Sequence, residues 1–275
     1  MAGVLYQPAG RAQEYAESEP GRGDGYAVNL FKGCVHGCKY CYVPQCPPWR
    51  FKENARTEFH RTVSVRENCM QSLLRELKRV KGLEGPVHLC FTCYPYPPAI
   101  ELQMAKLLGA KEMPFDLSIM TRHVLRAFER NELKNVQVLT KGGCRACRDF
   151  DLLKDNDWSF GTSLVFANDA LRLQWEPGAA AVEDREWALR EAHQTGIRTW
   201  ISLEPVIDPD EALRVIRRNM DHVGHWKIGK LNHGEKISDE LGEIERSIDW
   251  RQFRRDVEHV LSGRSYLMKK SLMEV

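Results

Sequence analysis

Gly33-Cys34-Val35-His36-Gly37-Cys38-Lys39-Tyr40-Cys41-Tyr42 spaces three cysteines as C-x3-C-x2-C. Thiols this close in sequence can converge on one metal centre, a clustering that a disulfide framework would not need. Thiolates are the usual ligands of iron-sulfur clusters. A cube of four irons has four corners, so three cysteines leave one iron without a protein ligand. An open coordination position is what separates a catalytic metal site from a structural one. The competing reading is a structural zinc held by Cys34, Cys38 and Cys41 with His36 or Cys46. Zinc fingers and ribbons generally pair two ligand clusters across a loop, whereas this is one compact run.

The chain around this stretch has 275 residues, a length at which α/β barrels commonly form one domain. Hydrophobic residues at 43% and charged residues at 28% fit a globular protein with a sizeable core. No apolar run reaches membrane-spanning length and Met1–Pro20 is polar, so a cytoplasmic protein with no membrane partner is expected. Nine cysteines, an odd number without a secretion signal, argue for reduced thiols acting as ligands or reactants. A net charge of +2 is too mild to mark a nucleic-acid binder.

Residues 1–25 lack periodicity and are expected to form an extended arm leading into a first strand over Tyr26–Lys32. Pro44, Pro47 and Pro48 with Trp49 make the next stretch irregular. Apolar periodicity predicts a helix over 66–81, with Met70, Leu73, Leu74 and Leu77 on one face. Short apolar runs predict strands over 86–92, 136–140, 159–166, 198–207 and 226–231, with a short edge strand at 266–268. Helices are predicted at about 100–109, 115–131, 148–156, 183–195, 210–220 and 250–261. Gly196 stops the helix at 183–195, and Asp208-Pro209 opens the one at 210–220.

Strands alternating with helices indicate βαβ units and a parallel sheet. Six units give a single-domain α/β protein, a partial (β/α)6 TIM-type barrel. The expected divisions are the arm at 1–25, the barrel core at 26–235, and a C-terminal helix and short strand packed on the barrel at 236–275. Functional groups of parallel barrels gather at the carboxyl ends of the strands. There the cysteine loop follows the first strand, Cys93 the second and Lys141 the third.

The cysteine spacing, with an aromatic residue just before the third cysteine, resembles the signature of the radical S-adenosylmethionine enzymes. From about Val28 to Val223 the chain further resembles the spore photoproduct lyase-like branch, proteins often labelled DNA repair photolyases. The residues that carry this are Asn29-Leu30-Phe31-Lys32-Gly33-Cys34, Arg75-Glu76-Leu77, Tyr94-Pro95-Tyr96-Pro97-Pro98 leading to Glu101, and Thr121-Arg122-His123-Val124-Leu125. Leu139-Thr140-Lys141, Arg148-Asp149-Phe150-Asp151-Leu152-Leu153 and Glu176-Pro177 continue it in order. The resemblance implies the partial barrel, a 4Fe-4S cluster on Cys34, Cys38 and Cys41, and S-adenosylmethionine chelated at the open iron. It also implies a reductase, flavodoxin or ferredoxin as electron donor. One electron would cleave the sulfonium to a 5'-deoxyadenosyl radical, which abstracts a substrate hydrogen.

Carried residue by residue, the resemblance sets Tyr40 near the adenine, Lys141 near the cofactor carboxylate and Ser163 near the methionyl moiety. Each has a bland counterpart: a solvated lysine, or a strand hydroxyl bonded to backbone. Glu176 is expected to pair with Arg185. Spore photoproduct lyases have a hydrogen-atom-donating cysteine near the second strand end, which makes Cys93 the candidate donor, with Cys90 expected to fill the core. Tyr94 departs from the Asp common at its position. Cys144 and Cys147, a C-x2-C pair, could join Cys90 and Cys93 as four ligands of an auxiliary metal, or simply pack. Cys46 and Cys69 look incidental. His222, His225 and His233 surround the sixth strand, and Arg214, Arg217, Arg218, Arg251, Arg254 and Arg255 fall on helices. The function expected is a lyase-like radical enzyme acting on a nucleic acid lesion or nucleoside. The alternatives are a small molecule or peptide as substrate, or a non-catalytic zinc or redox-cluster protein.

Overall fold

The computed structural model of the chain describes residues 3–9, 12–17, 23–61, 63–80, 82–97 and 116–275. In chain order these form β1 (Leu5–Tyr6), α1 (Gln13–Ala16), β2 (Tyr26–Val28), β3 (Phe31–Lys32), α2 (Ala55–Arg61), β4 (Ser64–Val65), α3 (Cys69–Leu77) and β5 (Val87–Leu89). Then come α4 (Ser118–Arg130), β6 (Val136–Thr140), α5 (Phe150–Asp155), β7 (Ser159–Ser163), α6 (Asp169–Trp175), α7 (Val182–Gln194) and β8 (Arg198–Val206). α8 (Pro209–Asn219), β9 (His225–Lys230), α9 (Asp239–Ser247), α10 (Trp250–Val260), β10 (Tyr266–Met268) and α11 (Lys270–Met273) complete the series.

One sheet runs β1-β2-β5-β6-β7-β8-β9-β10, and β1 and β10 stay unpaired with each other, so the barrel is partial. β1 lies antiparallel on β2, and the remaining neighbours are parallel. Strands covered on both faces read as unbroken buried runs, as Ser159–Ser163 does. Gly161 sits opposite Trp200 in the register, and a side chain there would meet the indole ring at 2.3 Å. Asp208 caps α8 by accepting bonds from the amides of Asp210 and Glu211 at 2.9 and 3.1 Å, a device that stabilises a helix by about 1 kcal/mol.

The structure departs from the sequence reading in four places. The first strand is split, because Asn29 turns its side chain to the loop after β5 and accepts bonds from the amides of Phe91 and Thr92. Its second half becomes β3, which pairs with β4 in a separate two-stranded sheet. Pairing of β4 delays α3 to Cys69, and Leu74 is 44% exposed rather than on the buried face. Within the arm expected at 1–25, Leu5–Tyr6 pair with β2 as β1 of the main sheet and Gln13–Ala16 form the short helix α1. The helix expected at 100–109 and the start of that at 115–131 lie outside the described residues.

The loops after β5 and β6 are tied together. Tyr96 donates to Asp149 Oδ2 at 2.9 Å, and Arg122 donates to Asp149 Oδ1 at 2.8 Å and Asp151 Oδ2 at 2.6 Å. A buried carboxylate is tolerated when charged and hydrogen-bonded partners surround it. This knot fixes Cys93-Tyr94 relative to Lys141. No helix among the described residues is long and apolar enough to cross a membrane.

Candidate metal and cofactor site

The cysteine loop leaves β3 through Gly33 and turns again at Gly37, both with positive φ (80° and 65°). Two brackets hold it. On one, Cys34 N donates to Phe59 O at 2.9 Å, His60 Nδ1 lies 2.9 Å from Cys34 O, and Arg56 donates to Cys38 O at 3.1 Å and Cys41 O at 3.0 Å. The backbone carbonyls of all three cysteines are thus engaged by α2. On the other, Gly178 N donates to His36 O and Lys39 N to Trp175 O, each at 2.9 Å.

Burial and then the neighbouring Cys38 charge push Cys34 well above the ordinary thiol value, and burial lifts Cys38 to about 11 and Cys41 to about 12. All three are thiols until a cation displaces their protons, as metal binding does. Among the described residues, no three His, Cys, Asp or Glu side chains meet around a single-ion position. A tetrahedral zinc needs four ligands within about 2.3 Å; of the two proposed fourth ligands, Cys46 turns its thiol to Tyr42 O at 3.8 Å, and buried His36 keeps both ring nitrogens unpartnered. A cube is met at separate corners and imposes no shared single-ion shell.

Beside the loop lies a buried ion group. Lys141, the residue after β6, donates to Glu176 Oε1 and, at 2.5 Å, to the Tyr40 hydroxyl, which itself donates to the same carboxylate oxygen. Arg185 of α7 pairs with Glu176 Oε2 at 2.8 Å, so the expected Glu176–Arg185 contact forms and Lys141 joins it. Lys141, Glu176 and Arg185 are at most 1% exposed. Burial would raise the Glu176 pKa, but the Lys141 and Arg185 charges outweigh it and hold the group at about 2. Burial would lower Lys141, and Glu176 reverses the shift so that its pKa is raised. Two cations against one carboxylate leave a buried net charge of +1, an arrangement that calls for a further anion. An amino-acid carboxylate or an anionic thiolate-ligated cluster meets that need, so these residues fit the cofactors that the sequence implies.

His36 is 1% exposed and neutral, its pKa lowered well below the ordinary value by burial and then by the Lys141 charge. It offers one donor and one acceptor to whatever enters. Its ring lies 5.0 Å from that of Tyr94, and the two line a small cavity with Gly33, Cys34, Val35, Val63, Cys93 and Pro97. Tyr94 OH reaches Ser163 Oγ at 3.1 Å, and the Ser163 carbonyl accepts from Arg185 at 2.8 Å. Tyr40, Lys141, Ser163 and the cysteine loop therefore share one end of the barrel.

No family model matches the chain. Over 189 residues it is 26% identical to an uncharacterized protein of Methanocaldococcus jannaschii, a match spanning 68% of this chain and 62% of that one. Among solved structures it superposes on SuiB of Streptococcus suis bound to S-adenosylmethionine, with a TM-score of 0.59 over 88% of this chain and 49% of SuiB. It also superposes on a variant of spore photoproduct lyase with dinucleoside spore photoproduct, with a TM-score of 0.61 over 92% of this chain and 78% of the lyase. Both are 12% identical to it. The fold is one that SuiB and spore photoproduct lyase share with this chain.

Within this fold the remaining cysteines separate. β5 ends at Leu89, so Cys90 rather than Cys93 is the strand-end residue; it takes a left-handed φ of 67° and is buried in the core. Cys93 lies farther along the loop, in the wall of the cavity beside Cys34 and His36. Its pKa is lowered, chiefly because the Cys90 thiol donates to it, while burial raises that of Cys90. Cys144 and Cys147 sit on a 3-10 turn over Gly143–Asp149, with Cys144 N donating to Asp184 at 3.2 Å. Among the described residues, neither Cys90, Cys93, Cys144 and Cys147 nor Cys34, Cys38 and Cys41 gather three ligands around a single-ion position.

His222 and His225 flank the amino end of β9, bonded to Asn219 and to Ser265, away from the cysteine loop. Arg214, Arg218 and Arg254 pair with Glu211, Glu186 and Glu258. Arg56, and the link between Lys141 and Glu176, escaped the sequence reading; a basic side chain in the turn after a ligand loop was the only signal for the first.

Proposed function

We propose that the chain is a radical S-adenosylmethionine enzyme in which Cys34, Cys38 and Cys41 hold a 4Fe-4S cluster. The observation that carries this is the buried net-positive group of Lys141, Glu176 and Arg185 beside a loop of three clamped cysteines. When bound, the cluster supplies the electron that cleaves S-adenosylmethionine and so provides a 5'-deoxyadenosyl radical. The chain's own residues bind, orient and exclude water. Lys141 and Arg185 offer positive charge to the cofactor carboxylate, and Glu176 keeps both lysine and arginine aligned while it fixes the Tyr40 hydroxyl. The Tyr40 ring supplies an aromatic face for the adenine, and Ser163 a hydroxyl toward the methionyl part. Cys93, beside Cys34 and His36, is the candidate hydrogen-atom donor to a substrate radical, a role that requires it in its thiol form.

For substrate, a nucleic acid lesion or nucleoside is the favoured class. The lyase neighbour, solved with dinucleoside spore photoproduct, matches over 78% of its length, against 49% for SuiB. A small molecule or peptide is the alternative class.

Anaerobic reconstitution tests the reading. About four irons per chain are expected, with a reduced electron-paramagnetic signal that changes on adding S-adenosylmethionine, and 5'-deoxyadenosine among the products. Tightly held zinc with no adenosyl cleavage would overturn it in favour of a non-catalytic metal protein.

A further inference from the structure

The end of the barrel away from the cysteine loop holds a cavity of about 730 Å³, a volume that accommodates a small-molecule ligand. Ser159, His225 and Tyr266, the first residues of β7, β9 and β10, line it at the amino ends of the strands, and Gln137, Trp200 and Lys227 line it farther in. Lys227 points into the lumen. Its neighbours on β9, Trp226 and Ile228, belong to the main apolar core, whereas its Nζ donates at 2.8 Å to Gln137 Oε1 of β6, with β7 and β8 lying between the two strands. The same nitrogen lies 4.4 Å from the Trp200 ring. Burial, and then the Lys269 charge, bring the Lys227 pKa down to about 7, and the Glu204 carboxylate that opposes this is held by Lys269 at 2.7 Å. The other titratable groups around it are His88 of β5 and His225, both neutral because burial and then the Lys227 charge lower their pKa. A strongly perturbed amine lining a cavity marks a site of chemistry.

We propose that this cavity takes an aldehyde or ketone, which Lys227 captures as an imine. The nitrogen lone pair forms a C–N bond to the carbonyl carbon, and the carbonyl oxygen leaves as water with the two amine hydrogens, so nothing is oxidised or reduced. A lysine becomes a nucleophile of this kind when it is desolvated or set beside another cation, and Lys227 is both buried and near Lys269. The Gln137 amide fixes Nζ in place, and the Trp200 ring gives the ligand an apolar face. An anion is the competing occupant. Against it, Glu14, Glu17 and Asp221 line the same cavity, Arg198 is paired with Asp157 at 3.2 Å, and a half-neutral Lys227 offers only part of a charge near pH 7. The site does not rest on the reading of Cys34, Cys38 and Cys41 as cluster ligands, which lie at the carboxyl end of the strands.

The test treats the full chain with pyridoxal, an aromatic aldehyde without a phosphate, and traps imines by reduction with cyanoborohydride before peptide mass mapping. At pH 7, Lys227 is expected to be labelled at least about tenfold faster than the exposed lysines of the same sample, because those are almost wholly protonated there. That ratio should shrink as pH climbs toward 10.5, the ordinary lysine value, where the exposed amines lose their protons as well. Comparing lysines within one sample cancels the reagents' own dependence on pH. In Lys227→Met the fast-labelled peptide disappears while the slow ones keep their rates, and a melting curve shows that the variant is folded. Labelling of Lys227 no faster than that of the exposed lysines at pH 7 would overturn the proposal. Inorganic phosphate that protects Lys227, together with a labelling rate that rises only near pH 10, would overturn it in favour of an anion site. Neither result bears on the cysteine loop, whose reading is tested separately by iron content and adenosyl cleavage.

Discussion

Lys141 and Lys227 are both buried in this barrel, and their surroundings drive them in opposite directions. Lys141, at its mouth, is 1% exposed, and the Glu176 carboxylate raises its pKa against the effect of burial. Lys227, in the wall on β9, is 6% exposed; burial, reinforced by the Lys269 charge, lowers its pKa to about 7. Its ammonium meets the neutral Gln137 amide oxygen at 2.8 Å and the Trp200 ring at 4.4 Å, while Glu204 is taken by Lys269 at 2.7 Å. One carboxylate decides whether a buried lysine keeps or sheds its proton. The mouth is thus built to hold positive charge ready for an anion, and the wall is not.

The contrast breaks most severely if the mouth loses the centre that its charge serves. Cys38→Ala should reduce iron in the reconstituted protein from about four per chain to a small fraction of that, with 5'-deoxyadenosine formation falling by at least about a thousandfold. Iron analysis and product chromatography check this, and wild-type iron content in the variant would remove Cys38 from the ligand set.

Next comes the carboxylate itself. Glu176→Gln leaves Lys141 and Arg185 buried without a counter-charge, a loss of about 3–5 kcal/mol when one partner of a buried pair is removed. In a chain of this size that lowers the melting temperature by roughly 10 °C. An unchanged melting temperature would mean that the two cations are not charged together in the folded protein.

The wall lysine should behave in the reverse sense. Its folded pKa of about 7 lies below the unfolded value of 10.5, so between those limits the unfolded chain binds the extra proton and stability rises with pH. Lys227→Met should flatten that rise and stabilise the protein near pH 7 by on the order of 2 kcal/mol, with no gain near pH 10.5. Lys141, whose pKa is raised, contributes stability that is present below 10.5 and lost as pH climbs through its folded value. Denaturant titrations at several pH values measure both slopes, and slopes of the same sign would erase the distinction between mouth and wall.

The sequence was most legible where one local pattern sufficed. The strand at Val136–Thr140 announces itself as a short apolar run, and Asp208-Pro209 marks a helix start because cap and ring act within one turn. The cysteine spacing and the Glu176–Arg185 pair were legible too. What stayed hidden depends on partners far away in the chain. Asn29 looks like any strand residue until the amides of Phe91 and Thr92 arrive at its side chain. α2 buries a single residue, Phe59, too little for an apolar period, and its value lies in Arg56 and His60 reaching the cysteine carbonyls. Cys93 was placed at a strand end because the β5 run reads on past Leu89, where the left-handed turn at Cys90 stops it.

The smallest effect belongs to the residue that departs from the family pattern. Tyr94, where the resemblance leads one to expect an aspartate, joins the two sides of the mouth: its hydroxyl lies 3.1 Å from Ser163 Oγ, its ring 5.0 Å from that of His36 and 5.8 Å from Lys141 Nζ. Tyr94→Phe keeps the ring, so the contacts with His36 and Lys141 persist and only a neutral hydrogen bond is lost, worth about 1 kcal/mol. An Asp at this position would cancel the net positive charge beside Lys141, whereas tyrosine supplies polarity without doing so. A double-mutant cycle of Tyr94→Phe with Ser163→Ala isolates the bond, and a coupling of roughly 0.5–1.5 kcal/mol is expected. Zero coupling would leave Tyr94 as a packing residue only, and the charge at the mouth would then owe nothing to the choice of tyrosine over aspartate.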